Sequence, residues 1–199
     1  DEDDDNDGVI DQLDFYPRDY TRSSFGGQKA LIVAGGGPYP TNFLWAATKN
    51  MANYAYTALR FQGLKDDEIT YLSEEPRPEV DGVPTIESIV DAILDLNSEA
   101  SPVNEVLIYF VDHGGNGIFK VSESELMSAE IVKGALDAMQ SSSNVQTTFI
   151  YDACQSGSFI PLISDPQFER TVVTSSSPTE AAVFALRGYT SFSFYFWSS

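Results

Sequence analysis

The segment Glu105–Val111 (EVLIYFV) constrains the fold of this chain more than any other, because it is apolar on both faces of a strand. A strand of this kind is buried on both sides, which is typical of a parallel sheet covered by helices. Further strand patterns lie before and after it, at Lys29–Ala34, Glu68–Leu72, Val145–Tyr151 and Arg170–Ser175.

The strand patterns alternate with segments that have the 3.6-residue period of an amphipathic helix. These helices are predicted at about Thr41 to Gln62, from a cap at Thr85 onwards, and at Ser128–Met139. The aromatic tail Ser191–Ser199 reads as the start of another helix, so the folded domain is expected to be truncated at its C-terminus. Alternation of strands and helices predicts an α/β fold with a mostly parallel sheet.

Composition excludes several classes of protein. The 199 residues carry a net charge of −19, with one Cys and one His. This acidity argues against nucleic acid as a partner, since phosphates need a basic surface. A single Cys allows no internal disulfide, and a single Cys with a single His cannot complete a four-ligand zinc site. No apolar run reaches the ~18 residues of a membrane span.

The charge is concentrated at the start of the chain, where residues 1–19 hold nine acids and one base. We therefore divide the sequence into an acidic head (1–19), a linker (20–28) and a globular domain (29–199). The alternative for the head is a solvated acidic linker, which most charge runs are.

The head has the spacing of a calcium-binding loop of the EF-hand type. Gly8 at loop position 6 would permit the sharp turn that folds alternate side chains inward. The predicted ligands of a structural Ca²⁺ ion are the side chains of Asp3, Asp5, Asp7, Asp11 and Asp14 and the backbone carbonyl of Val9.

The His and the Cys both follow predicted strands. His113 comes just after Glu105–Val111, and Cys154 lies 41 residues later, just after Val145–Tyr151. That interval has room for one crossover helix, so the two strands are expected to be parallel. Their carboxyl ends would then share the sheet edge at which open α/β sheets bind ligands.

The two residue types suit acyl transfer. An imidazole can accept the proton of a neighbouring thiol, which makes the thiolate nucleophile. The N–H groups of Gly114 and Cys154 are candidate oxyanion donors. Taken separately, a single Cys is more often a small buried hydrophobe and a single His a locally bonded residue. Their joint position at two strand ends favours the catalytic interpretation.

The motifs Asp112-His113-Gly114-Gly115 and Asp152-Ala153-Cys154-Gln155-Ser156-Gly157-Ser158 resemble those of the legumain-like cysteine peptidases. The resemblance implies a caspase-like three-layer α-β-α sandwich and a cysteine endopeptidase acting on peptides or proteins. It makes Cys154 the nucleophile and His113 the general base, assisted by Asn42. It also places Asp152, Ser175 and Ser176 near the S1 pocket, and Asn42 is counted with them among the substrate-binding residues.

The sequence departs from eukaryotic legumains at that pocket. They have Asn-Tyr-Arg-His before the long helix, whereas this chain has Asn42-Phe43-Leu44-Trp45. The acidic residue expected near Thr190 is also absent. Specificity for Asn at the P1 position of the substrate is therefore not predicted.

The head, with Pro17 near its end, resembles a thrombospondin type 3 repeat. Such repeats are extracellular, which implies a secreted or cell-surface protein. The alternative function is a calcium-binding adhesive or scaffold protein that carries an inactive caspase-like domain. A redox role for Cys154 lacks a partner thiol in the chain, and the sequence leaves the oligomeric state open.

Overall fold

The computed structural model of this chain describes residues 3, 4, 6, 27–97, 103–141 and 145–198. Most of the predicted linker lies outside these residues. So do five of the six predicted calcium ligands, namely Asp5, Asp7, Val9, Asp11 and Asp14.

Five parallel strands form the central sheet. The middle strand is the apolar segment Glu105–Val111, observed with the predicted bounds. The five strands are β1 (Gln28–Ala34), β2 (Ile69–Leu72), β3 (Glu105–Val111), β7 (Gln146–Asp152) and β8 (Arg170–Thr174). Their order across the sheet is β2-β1-β3-β7-β8. The α/β fold with a mostly parallel sheet is thus confirmed.

Helices cover both faces of the sheet, as the two-sided apolar character of β3 requires. The helices are α1 (Trp45–Phe61), α2 (Ile86–Asp95), α3 (Ala129–Ser141), the single turn α4 (Ile160–Ile163) and α5 (Phe192–Trp197). Ile93 of α2 and Leu136 of α3 are buried in one core with Ile108 of β3. Met51 of α1 and Trp197 of α5 are buried in the second core, on the opposite face.

A small antiparallel sheet that was not among the predicted elements follows β3. Its strands are β4 (Gly114–Gly115), β5 (Ile118–Lys120) and β6 (Leu126–Ser128). The tight turn between β4 and β5 is Asn116-Gly117, and Asn-Gly is a strong sequence signal for a hairpin. This hairpin fixes the backbone immediately after His113.

The helix α1 begins at Trp45 rather than near Thr41. The cause is local, because the Asn42 side chain accepts a hydrogen bond from the backbone N–H of Leu44 at 3.1 Å. Asn side chains that bond to nearby backbone favour turns over helix interiors. The four residues before Trp45 therefore form a turn above the sheet edge. The predicted cap of α2 is present, with Thr85 Oγ1 accepting from Ser88 N at 3.0 Å.

Candidate active site

The ends of β3 and β7 lie side by side because the two strands pair in register over their whole length, from Glu105↔Gln146 to Val111↔Asp152. The loops that carry His113 and Cys154 therefore leave the same edge of the sheet. They are also in direct contact, since a Cβ atom built on Gly114 would lie only 2.6 Å from the carbonyl oxygen of Cys154. The structure thus brings the two predicted catalytic segments together.

The imidazole of His113 contacts the side chain of Asn42. Nε2 of His113 lies 3.2 Å from Oδ1 of Asn42, and the amide nitrogen of Asn42 donates to the carbonyl of Gly37 at 2.9 Å. That second bond orients the amide so that its oxygen faces the ring. An amide oxygen only accepts, so Nε2 carries the proton and Nδ1 is the ring nitrogen that can accept one.

A buried carboxylate fixes the backbone of His113. Oδ1 of Asp112 accepts from the backbone N–H of His113 at 2.5 Å, and Oδ2 accepts from the Thr48 hydroxyl at 2.8 Å. Gly36, at a φ of 76°, leaves no room for a side chain, since a Cβ there would lie 2.5 Å from Asp112 Oδ1. Burial raises the pKa of Asp112, and the bonds from His113 and Thr48 oppose that rise.

Cys154 is a half-buried residue with a free thiol. Within the described part of the chain, no group accepts a hydrogen bond from the backbone N–H of Cys154. This donor is free for a ligand, and the backbone of Gly114 lies against the same loop. The next residue, Gln155, has φ 56° and ψ 22°, which is the left-handed conformation. Cys154 therefore sits at a sharp turn between the end of β7 and the 3₁₀ helix Ser156–Phe159.

The hydroxyls of Ser175 and Ser176, predicted near the S1 pocket, bond to the loop of Cys154. Ser175 Oγ accepts from the N–H of Ala153 at 3.2 Å. Ser176 Oγ donates to the carbonyl of Ala153 at 2.9 Å. Both serines therefore bond to the protein's own backbone in the structure. Contact of either serine with a substrate stays a prediction.

Asp152, the third residue predicted near this pocket, is fully buried. Its Oδ2 accepts from both the N–H and the hydroxyl of Ser193 in α5, with the N–H at 3.2 Å. The hydroxyl of Tyr109 in turn donates a hydrogen bond to Ser193 Oγ, at 2.5 Å. Burial raises the pKa of Asp152, and the bonds from Ser193 oppose that rise. Sequence reasoning missed Ser193, whose only signal was the Ser-Phe alternation of the tail.

The described residues of the predicted calcium loop are Asp3, Asp4 and Asn6. Oδ1 of Asp3 accepts from the backbone N–H of Asn6 at 2.8 Å, so the chain turns back onto the first predicted ligand. Within the described ranges, no group of three or more His, Cys, Asp or Glu residues could hold a metal ion. None of the helices described there combines the length and the apolar character needed to cross a bilayer.

The sheet with helices on both faces is a caspase-like fold. The structure is similar to the crystal structure of caspase-1 from Spodoptera frugiperda, with a TM-score of 0.57 and 12% sequence identity. The similarity covers 82% of this chain and 64% of the caspase chain. This confirms the predicted fold class.

Sequence comparison specifies the relationship further. A family model described as the Peptidase C13 family matches residues 96–194, which include both His113 and Cys154. The chain is 26% identical to the vacuolar-processing enzyme delta-isozyme of Arabidopsis thaliana, over 81% of this chain and 42% of that protein. It is 27% identical to a vacuolar-processing enzyme of Citrus sinensis, over 68% of this chain and 34% of that protein.

The chain therefore spans less than half the length of these two relatives. The resemblance to legumain-like cysteine peptidases of the caspase-like clan is confirmed. The comparisons do not favour the alternative of an inactive scaffold. They do not bear on the likeness of the head to a thrombospondin repeat, which stays a prediction.

Proposed function

We propose that this protein is a cysteine endopeptidase, secreted or displayed at the cell surface, that cleaves peptide bonds in peptide or protein substrates. The observation that carries the proposal is the packing of Gly114 against Cys154. It joins the loop of the only His to the loop of the only Cys at one sheet edge. In this proposal the backbone N–H groups of Gly114 and Cys154 and the Cys154 thiol bind around the carbonyl of the scissile bond.

The first step follows from the tautomer of His113. With its Nε2 proton directed at Asn42, Nδ1 accepts the proton of the Cys154 thiol. The thiolate sulfur then attacks the carbonyl carbon of the scissile bond. A C–S bond forms, and the carbonyl π electrons move to the oxygen. The N–H groups of Gly114 and Cys154 stabilise that oxyanion.

The second step releases the amine. The C–N bond breaks, His113 gives the amine its proton, and the acyl group stays on Cys154 as a thioester. Water, deprotonated by His113, hydrolyses the thioester and regenerates the thiol. A peptide amine in place of water would give transpeptidation by the same chemistry.

The test uses the fact that the chain has a single Cys. In the full chain, Cys154→Ala should abolish peptide cleavage and labelling by an electrophilic peptide probe. His113→Ala should lower the labelling rate by about 10²- to 10⁴-fold, the usual contribution of a general base. Both variants should keep the circular dichroism spectrum of the wild type. Cleavage that persists in Cys154→Ala would refute the proposal.

For the acidic head we propose a structural Ca²⁺ ion held by Asp3, Asp5, Asp7, Asp11, Asp14 and the carbonyl of Val9. What supports it is the ligand spacing, together with the turn that directs Asn6 N–H onto Asp3. The proposed chemistry at Cys154 does not use this ion.

Calcium binding can be measured by titration calorimetry on the full chain. We expect saturable binding in the range of extracellular calcium modules, with a dissociation constant of about 10⁻⁴–10⁻³ M. Asp7→Asn together with Asp11→Asn should weaken binding, whereas Asp91→Asn on the exposed face of α2 is the control. Equal heats of binding in the two variants would contradict the assignment.

A further inference from the structure

Of the two hydroxyls after β8 that bond to the nucleophile loop, that of Ser176 bonds to its backbone on both sides of Cys154. Ser176 Oγ donates to the carbonyl oxygen of Ala153 at 2.9 Å and accepts from the backbone N–H of Ser156 at 3.2 Å. Ala153 precedes Cys154, and Ser156 lies two residues beyond it. A single side chain therefore contacts the backbone on both sides of the nucleophile.

The backbone of Ser176 reinforces this contact. Its N–H donates to Ser156 Oγ at 3.1 Å, and its carbonyl accepts from the N–H of Gly157 at 2.9 Å. The two segments pack closely, because a Cβ on Gly157 would lie 2.7 Å from the carbonyl oxygen of Ser176. The loop therefore has little freedom to move relative to the end of β8.

The residue held between these contacts is in an unfavourable conformation. Gln155 has a φ of 56° and is not a glycine. Its N–H donates to the carbonyl of Glu180 at 2.8 Å, and its carbonyl accepts from the N–H of Ser158 at 3.0 Å. A left-handed non-glycine residue persists only where the surrounding contacts determine it, and such residues cluster at functional sites.

We propose that Ser176 is a positioning residue for Cys154: its hydroxyl keeps the turn at Gln155 closed and so directs the thiol toward His113. This inference rests on the proposed peptidase function. It gives Ser176 a role in the orientation of the nucleophile, in addition to the predicted role near the S1 pocket. Sequence separation explains why the pattern alone did not show it, since Ser176 lies 22 residues beyond Cys154.

The decisive variants are Ser176→Ala, Ser176→Thr and, as a matched control, Ser177→Ala. Among the described residues, the hydroxyl of Ser177 has one hydrogen-bond partner, the backbone N–H of Thr179 at 3.5 Å. Each full-length variant is assayed for peptide cleavage and for the rate of alkylation of Cys154 by iodoacetamide across a range of pH. Urea unfolding verifies that each variant is folded.

We expect Ser176→Ala to lower kcat by about 10- to 100-fold, the usual effect of a misplacement near 1 Å, with KM nearly unchanged. Its alkylation rate at neutral pH should fall toward that of an isolated thiol, since the imidazole no longer accepts the proton efficiently. Ser176→Thr retains the hydroxyl and should restore both rates. Ser177→Ala should match the wild type.

Three outcomes overturn the inference while leaving the proposed function intact. They are wild-type rates in Ser176→Ala, an equal loss in Ser177→Ala, and a pH profile of alkylation that does not change. A raised KM at constant kcat would instead assign Ser176 to substrate binding alone. Failure of the proposed function would look different, because the wild-type protein itself would then cleave no peptide.

Discussion

The loops after β3 and β7 hold their reactive residues in different ways, although the two strands are alike. Each strand has seven residues with the same burial pattern, and the two pair without a register shift. After β3, a buried carboxylate, Asp112, accepts from the backbone of His113. After β7, neutral hydroxyls from the end of β8 hold the backbone around Cys154.

The loops also differ in where they place left-handed residues. The β3 loop uses Gly117, at a φ of 66°, where glycine adopts the conformation without strain. The β7 loop uses Gln155, at 56°, where a side chain makes it costly. The comparison teaches that the base is held by a buried, titratable group on an unstrained hairpin, whereas the nucleophile is held by neutral hydroxyls on a strained turn.

The largest expected effect comes from glycines that lie where the loops pack against their neighbours. A Cβ on Gly114 would lie 2.5 Å from Tyr151 Oη, and one on Gly157 would lie 2.7 Å from the Ser176 carbonyl. Gly114→Ala and Gly157→Ala should each lower the free energy of unfolding by about 1–3 kcal/mol, the usual cost of overpacking.

Gly115→Ala is the matched control, because a Cβ there meets nothing within 4 Å. It should change the free energy of unfolding by less than about 0.5 kcal/mol. Urea denaturation of the three variants measures these differences. An equal cost at Gly114 and Gly115 would show that the two loops are not in close contact.

The second test separates the titratable contact of Asp112 from the neutral hydroxyl contacts by their pH dependence. Burial raises the folded-state pKa of Asp112 above its unfolded value of about 3.9. The stability that this group contributes is therefore present below the unfolded pKa and is lost as pH rises through the folded pKa. The advantage of the wild type over Asp112→Asn should shrink as pH rises from about 4 toward neutral.

Ser176→Ala provides the contrast, because a hydroxyl does not titrate in this range. Its effect on the free energy of unfolding should be constant over the same pH values. Urea unfolding at each pH measures both differences. A wild-type advantage over Asp112→Asn that grows with pH would mean that the ionised carboxylate is the favoured form in the fold.

The smallest expected effect concerns the strained turn. Gln155→Gly should raise the free energy of unfolding by up to about 1 kcal/mol, because it removes the left-handed penalty of a side chain. Gly117→Ala on the other loop should lower it by a similar amount, about 1 kcal/mol, for the opposite reason. Thermal unfolding of both variants measures the pair, and changes of the same sign would contradict the assigned strain.

Much of this architecture could be predicted because it depends on local patterns. The bounds of β3 follow from an uninterrupted apolar run. The positions of His113 and Cys154 follow from the rule that the carboxyl ends of parallel strands lie at one edge of the sheet. The contacts that hold these residues could not be predicted in the same way. Asp112 is hydrogen-bonded to Thr48, which is 64 positions away in the sequence, and Ser176 to Ala153, which is 23 positions away. Such pairs exist only once the sheet order is set.

The in-register pairing of β3 and β7 also limits how this domain can change in length. One residue inserted into either strand would turn its remaining side chains to the opposite face and shift its loop by about 3.3 Å along the strand axis. The loops of His113 and Cys154 would then leave the sheet at different heights along the strand direction. Variation in length is therefore tolerated only beyond the sheet edge, for instance between β5 and β6. Alignments of related sequences should accordingly show gaps between β5 and β6 and none within β3 or β7.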